Sequence, residues 1–399
     1  MSVTAAYGFT AAGVAAGLKS PAEDGTAKRD VALVVNTGPL KHAAAVLTTN
    51  RVSAAPVLWS RQVISDGRAD AVVLNSGGAN ACTGAPGFAD THTTAEQVAE
   101  KLSSAGQDVS ATDVLVCSTG LIGVRLDMPA LLSGVESAVN TLGEDDDAGA
   151  AASEAILTTD TVTKTATASG SGFTIGGMAK GAGMLAPGMA TMLSVITTDA
   201  VISAEALDAA LREAVRVSFN RADSDGCMST NDTVIAMASG AHPDADPAGV
   251  DLTEFQTALA EVCQTLAAAL IADAEGAHHE IAIRTINAAT EDEAETAGRA
   301  VARSNLFKTA IFGRDPNWGR ILSAVGTTDV AFDPMTIDVA VNGVWICRAG
   351  GIGEDRSLVD LSDRLVEVVI DLKAGEAEAT ILTNDLTHDY VHENSAYSS

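Results

Sequence analysis

The segment 170–191 reads GSGFTIGGMAKGAGMLAPGMAT and follows neither the two-residue period of a strand nor the 3.6-residue period of a helix. Glycine lacks a Cβ atom, so the seven glycines of this segment let its backbone approach another backbone or a ligand closely. The spacing matches neither GxGxxG nor GxxxxGK[ST], which argues against a dinucleotide site and a P-loop. By glycine content alone, the segment is a set of tight turns that leads into a strand at 192–197.

Two residues of this segment favour a chemical role. Lys180 is its only cation, and Thr191 stands between a Pro-Gly turn and an apolar strand, where packing does not require a hydroxyl. A threonine at the start of a buried strand can act as a nucleophile if the chain is cut before it. The freed α-amino group, with an ordinary pKa of about 7.7–8.0, would then suit a general base. The residues alone leave this as one alternative beside ordinary turns.

Short β-branched runs alternate with amphipathic helices over the first two thirds of the chain. Strands are predicted at 31–35, 71–74, 114–116, 193–196 and 233–237. Helices are predicted at 203–219, at 252–273, and from a capping box, Thr93-x-x-Glu96, to about Gly106. This alternation predicts a mixed α/β (α+β) fold.

The pattern changes near residue 280. Further strands are predicted at 281–286, 337–342, 366–371 and 377–382, with a helix opened by Thr290-x-x-Glu293. We therefore predict two domains, a core at 1–282 and a smaller α/β domain at 283–399.

Composition restricts the partners and the compartment. The formal net charge of −28 repels phosphate backbones, so nucleic acid is not expected as a partner. No stretch reaches about 18 consecutive apolar residues, so no membrane is expected either. Five cysteines without a CxxC pair favour a reducing compartment over a disulfide scaffold. We expect a soluble, cytoplasmic protein.

A series of motifs in fixed order covers the whole length of the chain. They are LTTNRVSAAPV at 47–57, NSGGANACTG at 75–84, VCSTGLIG at 116–123, ILTTDT at 156–161, MAKGAGMLAPGMATML at 178–193, SFNRADSDG at 218–226, STNDT at 229–233, KTAIFGRDPNWGRI at 308–321 and HENSAYSS at 392–399. With these motifs the chain resembles the ornithine acetyltransferase family, the bifunctional glutamate N-acetyltransferase or ArgJ family of arginine biosynthesis.

The resemblance implies an αββα four-layer core of the self-cleaving DmpA/ArgJ-like type, with a smaller C-terminal α/β domain. It implies self-cleavage between Ala190 and Thr191, which gives an α chain (1–190) and a β chain (191–399), assembled as an α2β2 heterotetramer. The implied reaction transfers acetyl from N-acetylornithine to glutamate. No cofactor or metal is expected, although some family members also take acetyl from acetyl-CoA.

The resemblance also assigns the site residues. Thr191 matches the family nucleophile, and Thr119 and Gly120 match the oxyanion hole, where a hydroxyl and a backbone N–H face a developing negative charge. The substrate contacts that match are Thr158, Lys180, Thr191, Glu275, Asn394 and Ser399. In this interpretation Lys180 pairs with an α-carboxylate, Glu275 pairs with an ammonium group, and the C-terminal tail returns to the active site.

Other functions remain as alternatives. A self-cleaving aminopeptidase or amidase has the same architecture, but such enzymes use serine where Thr191 stands. A metal hydrolase is conceivable on Asp273, Glu275, His278, His279 and Glu280, although HExxH spacing is missing. The family usually has EGATK where this chain has EGAHH at 275–279, so the two histidines depart from the family pattern. A non-catalytic binding module is disfavoured because both catalytic motifs are intact.

Overall fold

A computed structural model describes residues 1–186 and 192–396. The strands of these residues are β1 Phe9–Val14, β2 Val31–Asn36, β3 His42–Leu47, β4 Ala71–Asn75, β5 Val114–Ser118, β6 Lys164–Gly170, β7 Phe173–Lys180, β8 Leu193–Thr198, β9 Thr233–Ala238, β10 Glu280–Ala288, β11 Asp338–Val341, β12 Val344–Arg348, β13 Gly351–Ile352, β14 Leu365–Asp371 and β15 Ala377–Asn384. The α-helices are α1 Ala55–Val63, α2 Gly84–Ser104, α3 Met128–Asn140, α4 Asp146–Ala155, α5 Ala204–Arg216, α6 Leu252–Ala272, α7 Glu291–Ala302, α8 Asn305–Phe312, α9 Trp318–Val325 and α10 His388–Ala396.

Two sheets form the centre of the molecule. Their strand orders are β1-β2-β4-β5 and β3-β9-β8-β7-β6. Within the described parts of these two sheets, only β4 with β5 and β8 with β9 pair in parallel. Val195 of β8 belongs to a hydrophobic core shared with the four-stranded sheet, whereas its neighbour Ile196 belongs to a second core. Successive strand residues face opposite sides, so this alternation places a core on each face of the five-stranded sheet.

Helices cover the outer faces of the two sheets. Leu102 of α2 and Leu131 of α3 are buried in the core of the four-stranded sheet. Leu211 of α5 and Leu266 of α6 are buried in the second core. The order helix, sheet, sheet, helix is the αββα arrangement that the resemblance implied, and the fold prediction is confirmed.

The capping boxes had different outcomes. The Thr290 hydroxyl accepts a hydrogen bond from the Glu293 N–H at 3.2 Å, so α7 begins as predicted. The prediction for Thr93 is wrong, because α2 begins at Gly84 and Thr93 lies inside it. The proline at position 86 lies in the first turn, where a helix tolerates the missing N–H, so the helix starts nearly three turns earlier.

A third sheet has its own core. Its strand order is β13-β12-β11-β14-β10-β15, and only β10 and β14 pair in parallel in the part of the chain described. Helices α7, α8 and α9 contribute Val301, Phe307 and Ile321 to this core. The predicted boundary between residues 282 and 283 falls inside β10, so the division into two domains at that point stays a proposal.

Helix α6 is long and apolar enough, by length and composition, to span a membrane, and it is the one such helix among the described residues. In this fold it lies against β6 and β7. Its side chains Phe255, Leu259, Leu266 and Leu270 are at most 1% exposed, which is the pattern of a core helix.

Candidate active site

Strand ends from both central sheets meet at one pocket. Strand β5 ends directly before Thr119, and β7 ends at Lys180. The pocket contains all six described residues to which the resemblance assigned roles, namely Thr119, Gly120, Thr158, Lys180, Glu275 and Asn394. It is further lined by Ala79, Ile122, Thr159, Gly183, Met184, Ser229, Thr230 and Asn231.

The Thr119-Gly120 turn is fixed by its backbone. Thr119 donates its N–H to the Asn75 carbonyl at 2.9 Å and accepts the Gly78 N–H at 3.0 Å. Gly120 has φ +125°, and a Cβ there would lie 2.9 Å from the Gly78 nitrogen. Only glycine fits this turn without strain, and the turn places Gly120 in the lining of the pocket.

Buried amides hold this turn from beneath. The Asn231 side chain donates to the carbonyls of Ala79 and Ser118 at 2.6 and 2.8 Å. The Ser118 hydroxyl in turn donates to the side chain of Asn75 at 2.6 Å. All of these polar groups are buried and paired, which makes the turn a rigid, preorganised structure.

Lys180 is 1% exposed and has three polar neighbours. Its ammonium nitrogen lies 2.7 Å from the Thr158 hydroxyl oxygen and 3.4 Å from that of Thr119. A carboxylate oxygen of Asp160 lies at 3.7 Å. Burial lowers the pKa of Lys180, and the charge of Asp160 raises it in part.

Asp160 lies beneath the pocket, between two lysines. One carboxylate oxygen accepts from the Lys164 ammonium at 2.7 Å and from the Gly181 N–H at 2.6 Å, and the other accepts from the Thr158 N–H at 3.1 Å. Burial alone would raise the pKa of Asp160, but the charges of Lys180 and Lys164 hold it well below its usual range.

Glu275 stands at the other side of the pocket. Its carboxylate accepts from the Thr159 hydroxyl at 2.8 Å and from the Asn394 side chain at 2.9 Å. A Cβ on Gly183 would lie 2.7 Å from this carboxylate, so the glycine permits the contact. The contact with Asn394 of α10 brings the C-terminal helix to the pocket.

Three assigned residues, Ala190, Thr191 and Ser399, lie outside the described residues. Met192, the residue after the assigned nucleophile, donates its N–H to the Asp232 carboxylate at 3.0 Å. Asp232 is fully buried, and burial raises its pKa well above the ordinary value, although the Met192 N–H and the Lys180 charge lower it in part.

The histidine and acidic side chains considered for a metal-hydrolase site contact different partners. His279 contacts the Asp385 carboxylate and His278 that of Asp389, each at 2.7 Å, while Asp273 pairs with Lys164. Within residues 1–186 and 192–396, no group of three or more His, Cys, Asp or Glu side chains is arranged to hold a metal ion. The two histidines therefore link this segment to residues 385–389 near the end of the chain.

Several functional contacts were missed by reasoning from the sequence. Asp160 and Thr159 lie in the quoted motif ILTTDT, and Asn231 and Asp232 lie in STNDT. Runs of polar residues next to predicted strands were the available signal, because a buried polar side chain needs a partner. The sequence did not indicate which partners these would be.

Comparisons with known proteins agree over the full length. The chain matches the model described as "ArgJ family" over residues 10–399. It is 60% identical over 401 residues to the arginine biosynthesis bifunctional protein ArgJ of Streptomyces coelicolor, and 60% identical over 399 residues to that of Thermobifida fusca, with 100% of both chains covered in each case.

Solved structures match parts of the chain. One is an ornithine acetyltransferase complexed with ornithine from Mycobacterium tuberculosis, at 51% identity and TM-score 0.43, covering 48% of this chain and 96% of that one. Another is the arginine biosynthesis bifunctional protein ArgJ of Bacillus halodurans, at 34% identity and TM-score 0.48, covering 50% and 97%. On the family model and the full-length identities, this chain belongs to the ArgJ family.

Proposed function

We propose that this protein transfers the acetyl group of N-acetylornithine to glutamate through an acetyl ester of Thr191. The family membership supports an enzyme of arginine biosynthesis. The single observation that supports the substrates best is that one pocket holds both the Lys180 ammonium and the Glu275 carboxylate. A lysine and a glutamate suit the carboxylate and the ammonium group of an amino acid, so ornithine and glutamate can occupy the site in turn.

In the first half-reaction, the Thr191 hydroxyl oxygen attacks the acetyl carbonyl carbon. Its proton passes to the α-amino group that cleavage has freed. The Thr119 hydroxyl and the Gly120 N–H donate hydrogen bonds to the developing oxyanion. The carbon–nitrogen bond then breaks, the proton moves to the leaving nitrogen, and ornithine leaves an acetyl ester on Thr191.

In the second half-reaction, the amino group of glutamate attacks this ester. The threonine oxygen leaves and regains a proton, and N-acetylglutamate is released. Water must be kept from the ester or acetate is lost. The same groups serve self-cleavage, in which the Thr191 hydroxyl attacks the Ala190 carbonyl and water hydrolyses the resulting ester.

The proposal also covers the oligomeric state, the compartment and the acetyl donor. We infer an α2β2 assembly in the cytoplasm, with small amino acids as substrates and no bound cofactor. The acceptor half-reaction begins from the acetyl ester, so acetyl-CoA is a second donor if its thioester reaches Thr191. The two histidines at 278 and 279 pair with Asp389 and Asp385 rather than with residues that line the pocket, which favours the ordinary substrates of the family.

Partition of the acetyl group tests the proposal. The purified protein is incubated with N-acetylornithine, with and without glutamate, and N-acetylglutamate and acetate are measured. We expect one N-acetylglutamate per ornithine when glutamate is present, and little acetate in either case. Equal release of ornithine and acetate regardless of glutamate would contradict the proposal and favour the hydrolase alternative.

A further inference from the structure

Four buried side chains form a row of alternating charges that leads away from the pocket. Asp160 lies between Lys180, at 3.7 Å, and Lys164, at 2.7 Å, and Lys164 reaches Asp273 at 2.5 Å. The side chains of these four residues are between 0 and 8% exposed. An unpaired charge at such depth is costly, so each member depends on its neighbour.

The end of this row touches the assigned oxyanion hole. A lysine ammonium has three donors and no acceptor, so at 3.4 Å the Thr119 hydroxyl oxygen accepts from Lys180. The hydroxyl hydrogen of Thr119 is then directed elsewhere and can donate to a second group. A cation on the oxygen also polarises the hydroxyl, which strengthens the hydrogen bond that it donates.

We propose that Asp160 is a positioning residue that holds the Lys180 ammonium group in its charged form against the Thr119 hydroxyl. Asp160 also fixes the backbone on both sides of this contact, through the N–H groups of Thr158 and Gly181. The consequence for the oxyanion rests on the proposed function, whereas the effect on the charge of Lys180 does not.

The charges around Lys180 determine the direction in which each substitution should shift its titration. Asp160 favours the ammonium form, while burial and the charge of Lys164 favour the neutral amine. Removing Asp160 and removing Lys164 should therefore move the titration of Lys180 in opposite directions. Other ionisable groups that interact with Lys180 are Glu275, Asp232 and Lys19.

The first experiment measures the charge of Lys180 without any reaction. Protein labelled with ¹³C at the lysine Cε atoms is titrated by NMR, and the signal absent in Lys180→Arg identifies Lys180. In Asp160→Asn the titration midpoint should fall below that of the wild type, and in Lys164→Gln it should rise. Asp273→Asn is a graded comparison, because Asp273 pairs with Lys164 and makes no ion pair with Lys180, so its loss should lower the midpoint less than the loss of Asp160 does.

The second experiment follows kcat and KM against pH for the same variants. In Asp160→Asn the alkaline loss of kcat should move to lower pH, with kcat reduced by about tenfold at a pH where the wild type is still active, since an adjacent opposite charge shifts such an equilibrium by tenfold or more. In Asp273→Asn this shift should be smaller than in Asp160→Asn.

The outcomes are distinct for the two proposals. A wild type that makes no N-acetylglutamate would sink the proposed function and leave the NMR result to decide the role of Asp160. An active wild type with the same Lys180 midpoint in Asp160→Asn would overturn this inference. If Asp160→Asn does not fold, Lys164→Gln decides, because an unchanged or lower midpoint there contradicts the alternating-charge account.

Discussion

The side-chain nitrogen of Asn394 lies 2.9 Å from a carboxylate oxygen of Glu275, so the last helix of the chain reaches the anionic side of the pocket. Asn394 also donates to the Tyr390 carbonyl one turn earlier, at 3.0 Å. Most chain ends fray, and these two hydrogen bonds stabilise the position of the end of α10.

Asn394→Ala should therefore raise KM by about tenfold, with a smaller change in kcat, because a hydrogen bond to a charged group contributes about 1.5–3 kcal/mol. Steady-state kinetics with both substrates measures the change. Ser395→Ala is the control, since the Ser395 hydroxyl contacts only the His392 carbonyl among the described residues. Equal KM values in the two variants would exclude a role of Asn394 in substrate binding. Self-cleavage should be normal in both variants.

Thr119→Ala should lower kcat by about 10²–10³, with little change in KM, because loss of one oxyanion-hole donor costs that much. Thr119→Ser keeps the hydroxyl that contacts Lys180 and should retain most of the activity. The rate of self-cleavage should fall in the alanine variant as well, because that step passes through a similar tetrahedral state. An alanine variant with wild-type kcat would exclude Thr119 from the mechanism.

Gly120→Ala should disrupt the same turn by contact with the backbone. Its Cβ would lie 2.9 Å from the Gly78 nitrogen and 3.0 Å from the Gly78 Cα. Gly123→Ala is the control, because Gly123 also has a positive φ, of +85°, but nothing lies within 4 Å of its Cβ. In the control, backbone strain should lower the free energy of unfolding by only about 1–3 kcal/mol. Gly120→Ala should in addition lose activity, as measured by kcat of the folded fraction.

Asp232→Asn should make stability less dependent on pH. A carboxyl group whose pKa is higher in the folded protein than in the unfolded chain stabilises the fold while it is protonated. This stability is complete below the unfolded pKa of about 3.9 and is lost as the pH rises through the raised value. Asparagine cannot ionise and keeps an acceptor for the Met192 N–H.

The thermal unfolding midpoint of Asp232→Asn should thus exceed that of the wild type at about pH 8, and the difference should shrink towards about pH 4.5. Asp355→Asn should behave oppositely, because the Ser357 N–H lowers the pKa of this exposed carboxylate and its charged form stabilises the fold. A wild-type advantage at high pH over Asp232→Asn would contradict the account of a buried carboxyl group whose pKa is raised.

Much of the fold could be predicted from local pattern. The run Val31–Asn36 is buried at every position, and continuous apolar runs of this length are typical of central strands. Strands β1 and β3 were missed because alanine and glycine dominate FTAAGV and HAAAVL, which have few of the β-branched residues that indicate a strand. In β1, a Cβ on Gly13 would lie 1.9 Å from the Ala151 carbonyl oxygen of α4, so the helix approaches this strand too closely for a larger residue, and that is a tertiary property.

The site was predictable in part for a similar reason. Lys180 stood out as the only cation of a glycine-rich segment, and the family resemblance located Thr119 and Glu275. The contact between Lys164 and Asp273 joins residues 109 positions apart, so no local pattern reveals it. Asp160 acquired its role only once the fold placed it between two lysines.

The mass of the protein after brief exposure to N-acetylornithine, without glutamate, tests the central claim most directly. The account predicts two fragments and a mass gain of one acetyl group on the fragment that begins at Thr191. This mass gain should disappear when glutamate is added. Thr191→Ala should remain a single chain without the adduct. A single uncut chain that transfers acetyl at full rate, or an adduct that survives in Thr191→Ala, would contradict the account.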